Sequence, residues 1–247
     1  MEYKIKKLDD KTYMIMEYNK RSSVYMYLLE GDKKAILIDS GFGTIPLDDI
    51  CGKITDKPID VVLTHGHADH IGSSGLFDRV FLHEADSNLY RENSQEKWRR
   101  FFTNEPLNPV KDQPEYFKGE PVFELGNRTI SIIETPGHSK GSVCLLDAER
   151  KWLFTGDTCC KAHVLLQGEN SGGIELYNKS VEKLLSYEKL YEVIWPGHHS
   201  FPVDKSILHQ FFEATEGLMN GTLCGVETDL PMGKAFLLKY KDIGVEY

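Results

Sequence analysis

The stretch Thr64-His65-Gly66-His67-Ala68-Asp69-His70 places three imidazoles and one carboxylate within six positions. It directly follows Asp60-Val61-Val62-Leu63, an apolar run typical of a buried strand. Alternate residues of an extended segment point the same way, so the first two imidazoles can converge on one point. The carboxylate and the third imidazole lie past the bend and can reach a second point nearby. Because imidazole and carboxylate suit zinc, and imidazole also suits iron, the stretch predicts a metal site.

The alternative is that these four side chains are ordinary core or surface residues. An apolar core would leave them unpaired, and each unpaired polar group there costs several kcal/mol. Four ligand-type residues directly behind one apolar strand are therefore better explained by metal binding.

Composition limits the classes of protein to consider. The 247 residues fit one α/β domain, which we expect to span residues 1–247. The net charge of −9 argues against a nucleic-acid-binding surface. The sequence contains no run of eighteen apolar residues, so no membrane span is expected, and the first residues show no apolar signal segment. Five irregularly spaced cysteines predict a reduced, cytoplasmic protein.

Hydrophobic patterning predicts many short strands and a few helices. Helices are expected at about residues 47–54, 178–190 and 205–219, with Asn178 as a helix cap. Residues 85–120 are expected to form a mostly helical insertion, either a lid or a solvated surface segment. Residues 204–247 are expected to be a C-terminal helix and tail.

Three later apolar runs end in the same way as the first. Residues 129–135 end in Pro136-Gly137-His138, residues 152–155 end in Gly156-Asp157, and residues 191–195 end in Pro196-Gly197-His198. Each places one ligand-type side chain beside a glycine, which lets the backbone turn tightly. With the first stretch, the chain offers seven candidate metal ligands: His65, His67, Asp69, His70, His138, Asp157 and His198.

These segments, together with Ile38-Asp39-Ser40-Gly41, resemble the metallo-β-lactamase superfamily, and more closely its glyoxalase II-like hydrolases. The resemblance implies a four-layer αββα sandwich with a metal site along one edge of the two sheets. It implies that a first metal is held by His65, His67 and His138. It implies that a second metal is held by Asp69, His70 and His198, and that the carboxylate of Asp157 bridges the two metals.

Asp39 has two interpretations. The resemblance implies that it orients a ligand imidazole through a hydrogen bond. Alternatively, it caps the turn before Gly41, since Asp is a common turn former.

The resemblance implies a metal-dependent hydrolase. Hydroxide held by two zinc ions, with iron or manganese as alternatives, would cleave an ester, thioester, lactone or related bond of a small-molecule substrate. Asp69 and Asp157 are the candidate catalytic carboxylates, and Asp69 could also steer the hydroxide proton. The main alternative is an iron-dependent sulfur dioxygenase or another redox member of the same fold. A nuclease is disfavoured by the acidic charge, and a non-catalytic metal-binding module by the complete ligand set.

The sequence leaves the substrate, the native metal and the oligomeric state open, a homodimer included. Residues 204–247 are too short for the helical domain of true glyoxalase II enzymes, which argues against glyoxalase activity itself. The following are candidate pocket residues, each with an ordinary structural alternative: Lys140, Lys161, His163, Tyr177 and His199. Cys159 and Cys160 are expected to be small buried residues.

Overall fold

Three β-sheets and five α-helices make up the residues that the computed structural model describes, which are 2–19, 22–230 and 233–247. The chain divides into two units, Met1–Ser131 and Ile132–Tyr247. Among the described residues, no helix is both long enough and apolar enough to cross a membrane.

A seven-stranded sheet dominates the first unit. Its strands, adjacent in sheet order as in the chain, are β1 (Glu2–Asp9), β2 (Thr12–Tyr18), β3 (Ser23–Glu30), β4 (Ala35–Ile38), β5 (Ile59–Val62), β6 (Arg79–His83) and β7 (Glu115–Phe117). Strands β1 to β4 pair antiparallel, and β4 to β7 pair parallel. Ile38 pairs with Val62, so the chain leaves β4 and β5 side by side at one edge. The loops that carry Asp39 and the histidine-rich stretch therefore begin next to each other.

The described part of the first unit contains the helices α1 (Leu47–Gly52), α2 (Ser87–Asn93) and α3 (Glu96–Arg99). Helices α1 and α2 pack on one face of the sheet. Ile50 of α1 and Tyr90 of α2 pack in one apolar core with Leu37 of β4. Ile36, whose side chain points to the opposite face of β4, is also fully buried. Burial on both faces explains why these strands read as continuous apolar runs rather than as alternating ones.

The predicted insertion at 85–120 is less helical than expected. Its helix is confined to the first part, in α2 and α3, and residues 100–120 are irregular apart from β7. Pro106, Pro109 and Pro114 account for this, because proline lacks the N–H that a helix interior needs.

The rest of the chain forms a six-stranded and a four-stranded sheet. The six-stranded sheet has the order β14-β13-β11-β10-β9-β8, and the four-stranded sheet has the order β12-β17-β16-β15. The strands are β8 (Val122–Glu124), β9 (Thr129–Glu134), β10 (Val143–Asp147), β11 (Trp152–Gly156), β12 (His163–Leu165), β13 (Val193–Pro196), β14 (Val203–Asp204), β15 (Val226–Leu230), β16 (Gly233–Tyr240) and β17 (Ile243–Glu246).

Two long helices complete the second unit, α4 (Gly173–Ser186) and α5 (Ile207–Met219). Their apolar faces, represented by Val181 and Phe211, share one core with β10, β11, β16 and β17. Helix α4 begins five residues before the predicted cap at Asn178, so that prediction is wrong. Asn178 lies inside the helix and donates from Nδ2 to Thr215 Oγ1 of α5 at 3.0 Å.

The segment after α5 is more ordered than a tail. It forms β15, β16 and β17, and residues 233–240 alternate only partly between apolar and polar side chains. That mixed pattern only weakly predicts a strand. Pairing of β16 with β15 and β17 stabilises the strand where its own residues do not favour it strongly.

Candidate metal centre

The histidine-rich stretch 64–70 is a loop that follows β5, and side chains from the next helical region hold its backbone. Gly66 N donates to Asp86 Oδ2 at 2.8 Å, and Ala68 N donates to Asn93 Oδ1 at 3.2 Å. A Cβ at Gly66 would lie 2.9 Å from Tyr90 N, so this close approach to α2 requires glycine. Contacts with the neighbouring helical region therefore position this loop.

Asp39 is the acceptor for three donors of this loop. Its Oδ1 accepts from Thr64 N at 2.7 Å, and its Oδ2 accepts from His70 Nδ1 at 2.8 Å. Thr64 Oγ1 lies 2.9 Å from Asp39 Oδ2 and 3.0 Å from His65 Nδ1. The predicted hydrogen bond between Asp39 and a candidate ligand imidazole is thus confirmed, with His70 Nδ1 as the donor.

These contacts set the tautomers of two histidines. A carboxylate only accepts, so the Nδ1 of His70 carries its proton. The Thr64 hydroxyl donates to Asp39 and accepts from His65 Nδ1. Both imidazoles therefore keep Nε2 as the nitrogen with an available lone pair, as metal ligation requires.

The other side chains of the loop gather around His65. Its ring centroid lies 4.7 Å from that of His67 and 4.2 Å from that of His70. Asp69 places Oδ2 4.0 Å from His70 Nε2. His65 and His70 are essentially inaccessible, whereas His67 is partly exposed.

His138 follows a glycine that touches a helix. A Cβ at Gly137 would lie 2.6 Å from the Cβ of Tyr177 in α4, so the approach of strand end and helix requires glycine. His138 Nδ1 donates to the Leu165 carbonyl at 3.0 Å. Its Nε2 lies 3.7 Å from Asp157 Oδ2.

Asp157 and His198 lie at the ends of the neighbouring parallel strands β11 and β13. Gly197 N donates to Gly156 O at 2.8 Å, which ties the two strand ends together. His198 Nε2 lies 3.5 Å from Asp157 Oδ1. The two carboxylate oxygens thus face two different imidazoles, His138 and His198, as a carboxylate shared by two ions would.

Each unit supplies one part of the predicted ligand set. In the first unit, His65, His67, Asp69 and His70 lie close together. In the second unit, Asp157 has His138 on one side and His198 on the other. Imidazole nitrogens and carboxylate oxygens are donors that fit zinc.

Two of the candidate pocket residues contact the C-terminal hairpin, one at its turn and one at β17. The exposed Lys161 Nζ lies 3.7 Å from Asp242 Oδ1. His163 Nδ1 lies 2.9 Å from Glu246 Oε1. Both side chains thus have protein partners close by.

The other three candidates differ in setting. Lys140 is exposed, and its Nζ donates to the Glu169 carbonyl at 2.7 Å. Tyr177 is fully buried and donates from its hydroxyl to the Thr158 carbonyl at 2.7 Å, which makes it a core residue. His199 is exposed and has a positive φ of 66°.

Four of the five cysteines are buried in the core, and Cys224 is exposed. All five are free, and Cys159 and Cys160 are buried, as expected. Burial raises the pKa of the Cys160 thiol to about 12, so this thiol is protonated at neutral pH. It is therefore a poor nucleophile.

A buried carboxylate supports the loop behind Asp39. Glu17 accepts from Phe42 N at 2.8 Å and from Thr44 N at 2.9 Å. Burial raises the pKa of Glu17, although hydrogen bonds from Thr44, Phe42 and Gly43 oppose that rise. Sequence reasoning did not find Glu17, because it lies on β2, far from any ligand motif.

Other supporting groups also escaped sequence reasoning. Thr64 directly precedes His65 in the sequence, and this adjacency could have indicated that its hydroxyl contacts a ligand imidazole. The Leu165 carbonyl carries no signal, because every residue has a backbone carbonyl. Asp86 and Asn93 act on the backbone of the loop rather than on a ligand, so no motif points to them.

Comparison with known proteins is consistent with this geometry. The family model for the metallo-beta-lactamase superfamily matches residues 19–198, which include all seven candidate ligands. Acyl-coenzyme A thioesterase MBLAC2 of Homo sapiens is 29% identical over 79% of this chain and 81% of its own length. A probable polyketide biosynthesis zinc-dependent hydrolase, BaeB of Bacillus velezensis, is 25% identical over 76% of this chain and 80% of its own length.

A solved structure shows the same fold. The metallo-beta-lactamase from Pontibacter korlensis superposes with a TM-score of 0.69 at 19% identity, covering 87% of this chain and 99% of that one. The predicted αββα fold class is thereby confirmed.

Proposed function

Because the chain belongs to the metallo-beta-lactamase superfamily, we propose that it is a dinuclear zinc hydrolase that cleaves acyl thioesters or a related ester or lactone. The observation that carries this proposal is the sharing of Asp157 between two imidazoles, at 3.7 Å from His138 and 3.5 Å from His198. A carboxylate placed in this way suits two ions better than one.

We assign three ligands to each ion. His65, His67 and His138 would hold the first, Asp69, His70 and His198 would hold the second, and Asp157 would contact both. The hydrogen bonds at Nδ1 of His65, His70 and His138 support this assignment, because each leaves Nε2 for the metal.

When bound, two zinc ions would lower the pKa of water towards neutrality and polarise a carbonyl group. The side chains of the protein contribute a base for the attacking water and hydrogen bonds that hold the ligand imidazoles in place. Asp69 is the carboxylate we assign to orient and take up the proton of the attacking water. Asp39 holds the imidazole of His70 and, through Thr64, that of His65. Cys160 is a poor nucleophile, because burial raises the pKa of its thiol to about 12.

The acyl thioester class is supported by the relatives rather than by the pocket. One relative is named an acyl-coenzyme A thioesterase and another a zinc-dependent hydrolase. The net charge of −9 supports a small-molecule substrate over a nucleic acid. Five free cysteines support a cytoplasmic location.

A substrate panel tests the proposal. The zinc-loaded protein would be incubated with acyl thioesters, esters, lactones, β-lactams and phosphodiesters, and we expect turnover of the acyl thioesters. Asp157→Asn should lower kcat/KM by about 100-fold or more and reduce the zinc content. Asp49→Asn, at an exposed position on α1, is the matched control and should change neither.

The redox alternative has its own assay. Oxygen uptake by the iron-loaded protein with glutathione persulfide, without hydrolysis of any ester in the panel, would replace the hydrolase proposal with a sulfur dioxygenase.

A further inference from the structure

The last strand of the chain supports the strand that contacts a candidate metal ligand. Strand β17 (Ile243–Glu246) lies beyond residues 19–198, the segment that the family model matches. It pairs in parallel with β12 (His163–Leu165), which stands at the end of the four-stranded sheet. Backbone bonds join the two strands, from Gly244 N to Ala162 O at 3.0 Å and from Leu166 N to Glu246 O at 2.7 Å.

Side chains strengthen this pairing. His163 Nδ1 lies 2.9 Å from Oε1 of Glu246, a residue that is only 7% exposed. The ring of His163 lies over Gly244, where a Cβ would come within 2.4 Å of His163 Cδ2. Val164 and Val245, paired in register, are both buried in the core of the second unit.

Strand β12 ends at the residue that orients His138. The Leu165 carbonyl accepts the Nδ1 proton of His138 at 3.0 Å. That bond fixes both the tautomer and the rotation of the ring, and so the direction of Nε2. Leu165 pairs in register with Glu246. Any shift of β17 is therefore transmitted to the carbonyl that holds His138.

A strand of three residues cannot hold this position alone, because even an isolated hairpin is marginally stable in water. We therefore propose that β17 is part of the metal-binding apparatus, with Glu246 and Gly244 as positioning residues for His138. This inference rests on the proposed zinc centre, since it assumes that His138 ligates through Nε2. If β17 had a purely structural role, its loss would lower overall stability and would reduce the affinity for both zinc ions equally.

Replacing Glu246 tests the proposal in the full-length, zinc-loaded protein. Glu246→Ala should lower the affinity for one of the two zinc ions by about tenfold and leave the affinity for the other unchanged, as measured by chelator competition. Glu246→Gln still accepts a hydrogen bond from His163 and should retain both ions. Glu227→Ala, on strand β15 of the same sheet, is the matched control and should behave as the wild type.

Two further measurements keep the test decisive. Gly244→Ala should displace the ring of His163 and produce the same selective loss of one zinc ion. The Nδ1 proton signal of His138, observed by NMR, should weaken in Glu246→Ala and persist in Glu246→Gln. This signal reports on the Leu165 contact whether or not the protein hydrolyses any substrate.

The contrary results are distinct. Unchanged affinity for both ions in Glu246→Ala, or equal weakening of both in step with a lower Tm, would overturn the role of β17. If the wild type bound no zinc, the proposed zinc centre would fail. The NMR signal would then still decide whether β17 positions His138.

Discussion

Single side chains position the candidate ligands through hydrogen bonds, and Asp39 accepts from three donors of the histidine-rich loop. It has a φ of 61°, a conformation that Asp and Asn tolerate better than other residues with side chains. Its carboxylate is 1% exposed and contacts both Thr64 and His70. A buried acceptor of this kind sets both the position and the protonated nitrogen of an imidazole.

Asp39→Asn tests that role without straining the backbone. Thr64 N and His70 Nδ1 donate to different carboxylate oxygens, and the amide replaces one of these oxygens by an NH2 group that cannot accept, so one of the two bonds is lost. We expect zinc affinity to fall by about 10- to 100-fold, measured by chelator competition. Asp48→Asn, at an exposed position on α1, should leave the affinity unchanged. Wild-type affinity in Asp39→Asn would show that Asp39 only caps its turn.

Glu17 predicts a specific pH dependence of stability. Because burial raises its pKa in the folded chain above the usual 4.5, the folded chain binds this proton more tightly than the unfolded chain does. Its contribution to the free energy of unfolding is therefore greatest below pH 4.5 and declines as pH rises through the raised pKa.

Glu17→Gln isolates this contribution, because the amide does not titrate. The difference in free energy of unfolding between the wild type and this variant should shift in favour of the variant as pH rises above 4.5. Urea denaturation at a series of pH values measures it. A difference that stays constant with pH would mean that Glu17 does not titrate in this way.

Strand ends are the elements that carry the candidate site, and each depends on close packing behind it. The strand that precedes His138 turns at Gly137, where α4 leaves no room for a side chain. Gly137→Ala should push this turn away from Tyr177, lower the free energy of unfolding by about 1–3 kcal/mol and reduce zinc binding. Urea denaturation and chelator competition measure the two effects.

Gly52→Ala is the control for this glycine, because a Cβ at Gly52 meets nothing within 4 Å. It lies at the end of α1 and should be neutral or slightly stabilising. Equal losses in Gly52→Ala and Gly137→Ala would contradict the packing explanation.

The irregular segment after α3 is held by a buried arginine. Arg99 Nη2 donates to Gly72 O at 2.8 Å and to Asn108 O at 2.7 Å. Arg99→Met leaves both carbonyls without this donor, so we expect a loss of about 1–3 kcal/mol in the free energy of unfolding. Hydrogen exchange should quicken between residues 100 and 107. Arg91→Met, at an exposed position on α2, should cost less than about 1 kcal/mol.

The chain as a whole shows which features a sequence can predict. The αββα fold class and the apolar strands before each candidate ligand can be predicted from the sequence. Both strand burial and ligand motifs depend on which residue types occur at given positions. The strands after α5 do not, since residues such as Lys234 and Lys239 interrupt their apolar pattern. The start of α4 at Gly173 was also missed, because glycine is a poor helix former and Asn178 is a better-known cap.

Backbone groups set a second limit. The carbonyl of Leu165 orients His138, yet any residue at position 165 would supply a carbonyl. Its placement depends on the pairing of β12 with β17, in which each residue pairs with one 81 positions later, as Leu165 does with Glu246. Such long-range pairing leaves no local signal in the sequence.

The central claim is that seven side chains, drawn from residues 65 to 198, hold two zinc ions in one site. Diffraction at the zinc absorption edge from crystals of the zinc-loaded protein tests this most directly. The account predicts two anomalous peaks about 3.5–4 Å apart, with Asp157 in contact with both. A single peak, or peaks away from His138, Asp157 and His198, would contradict it.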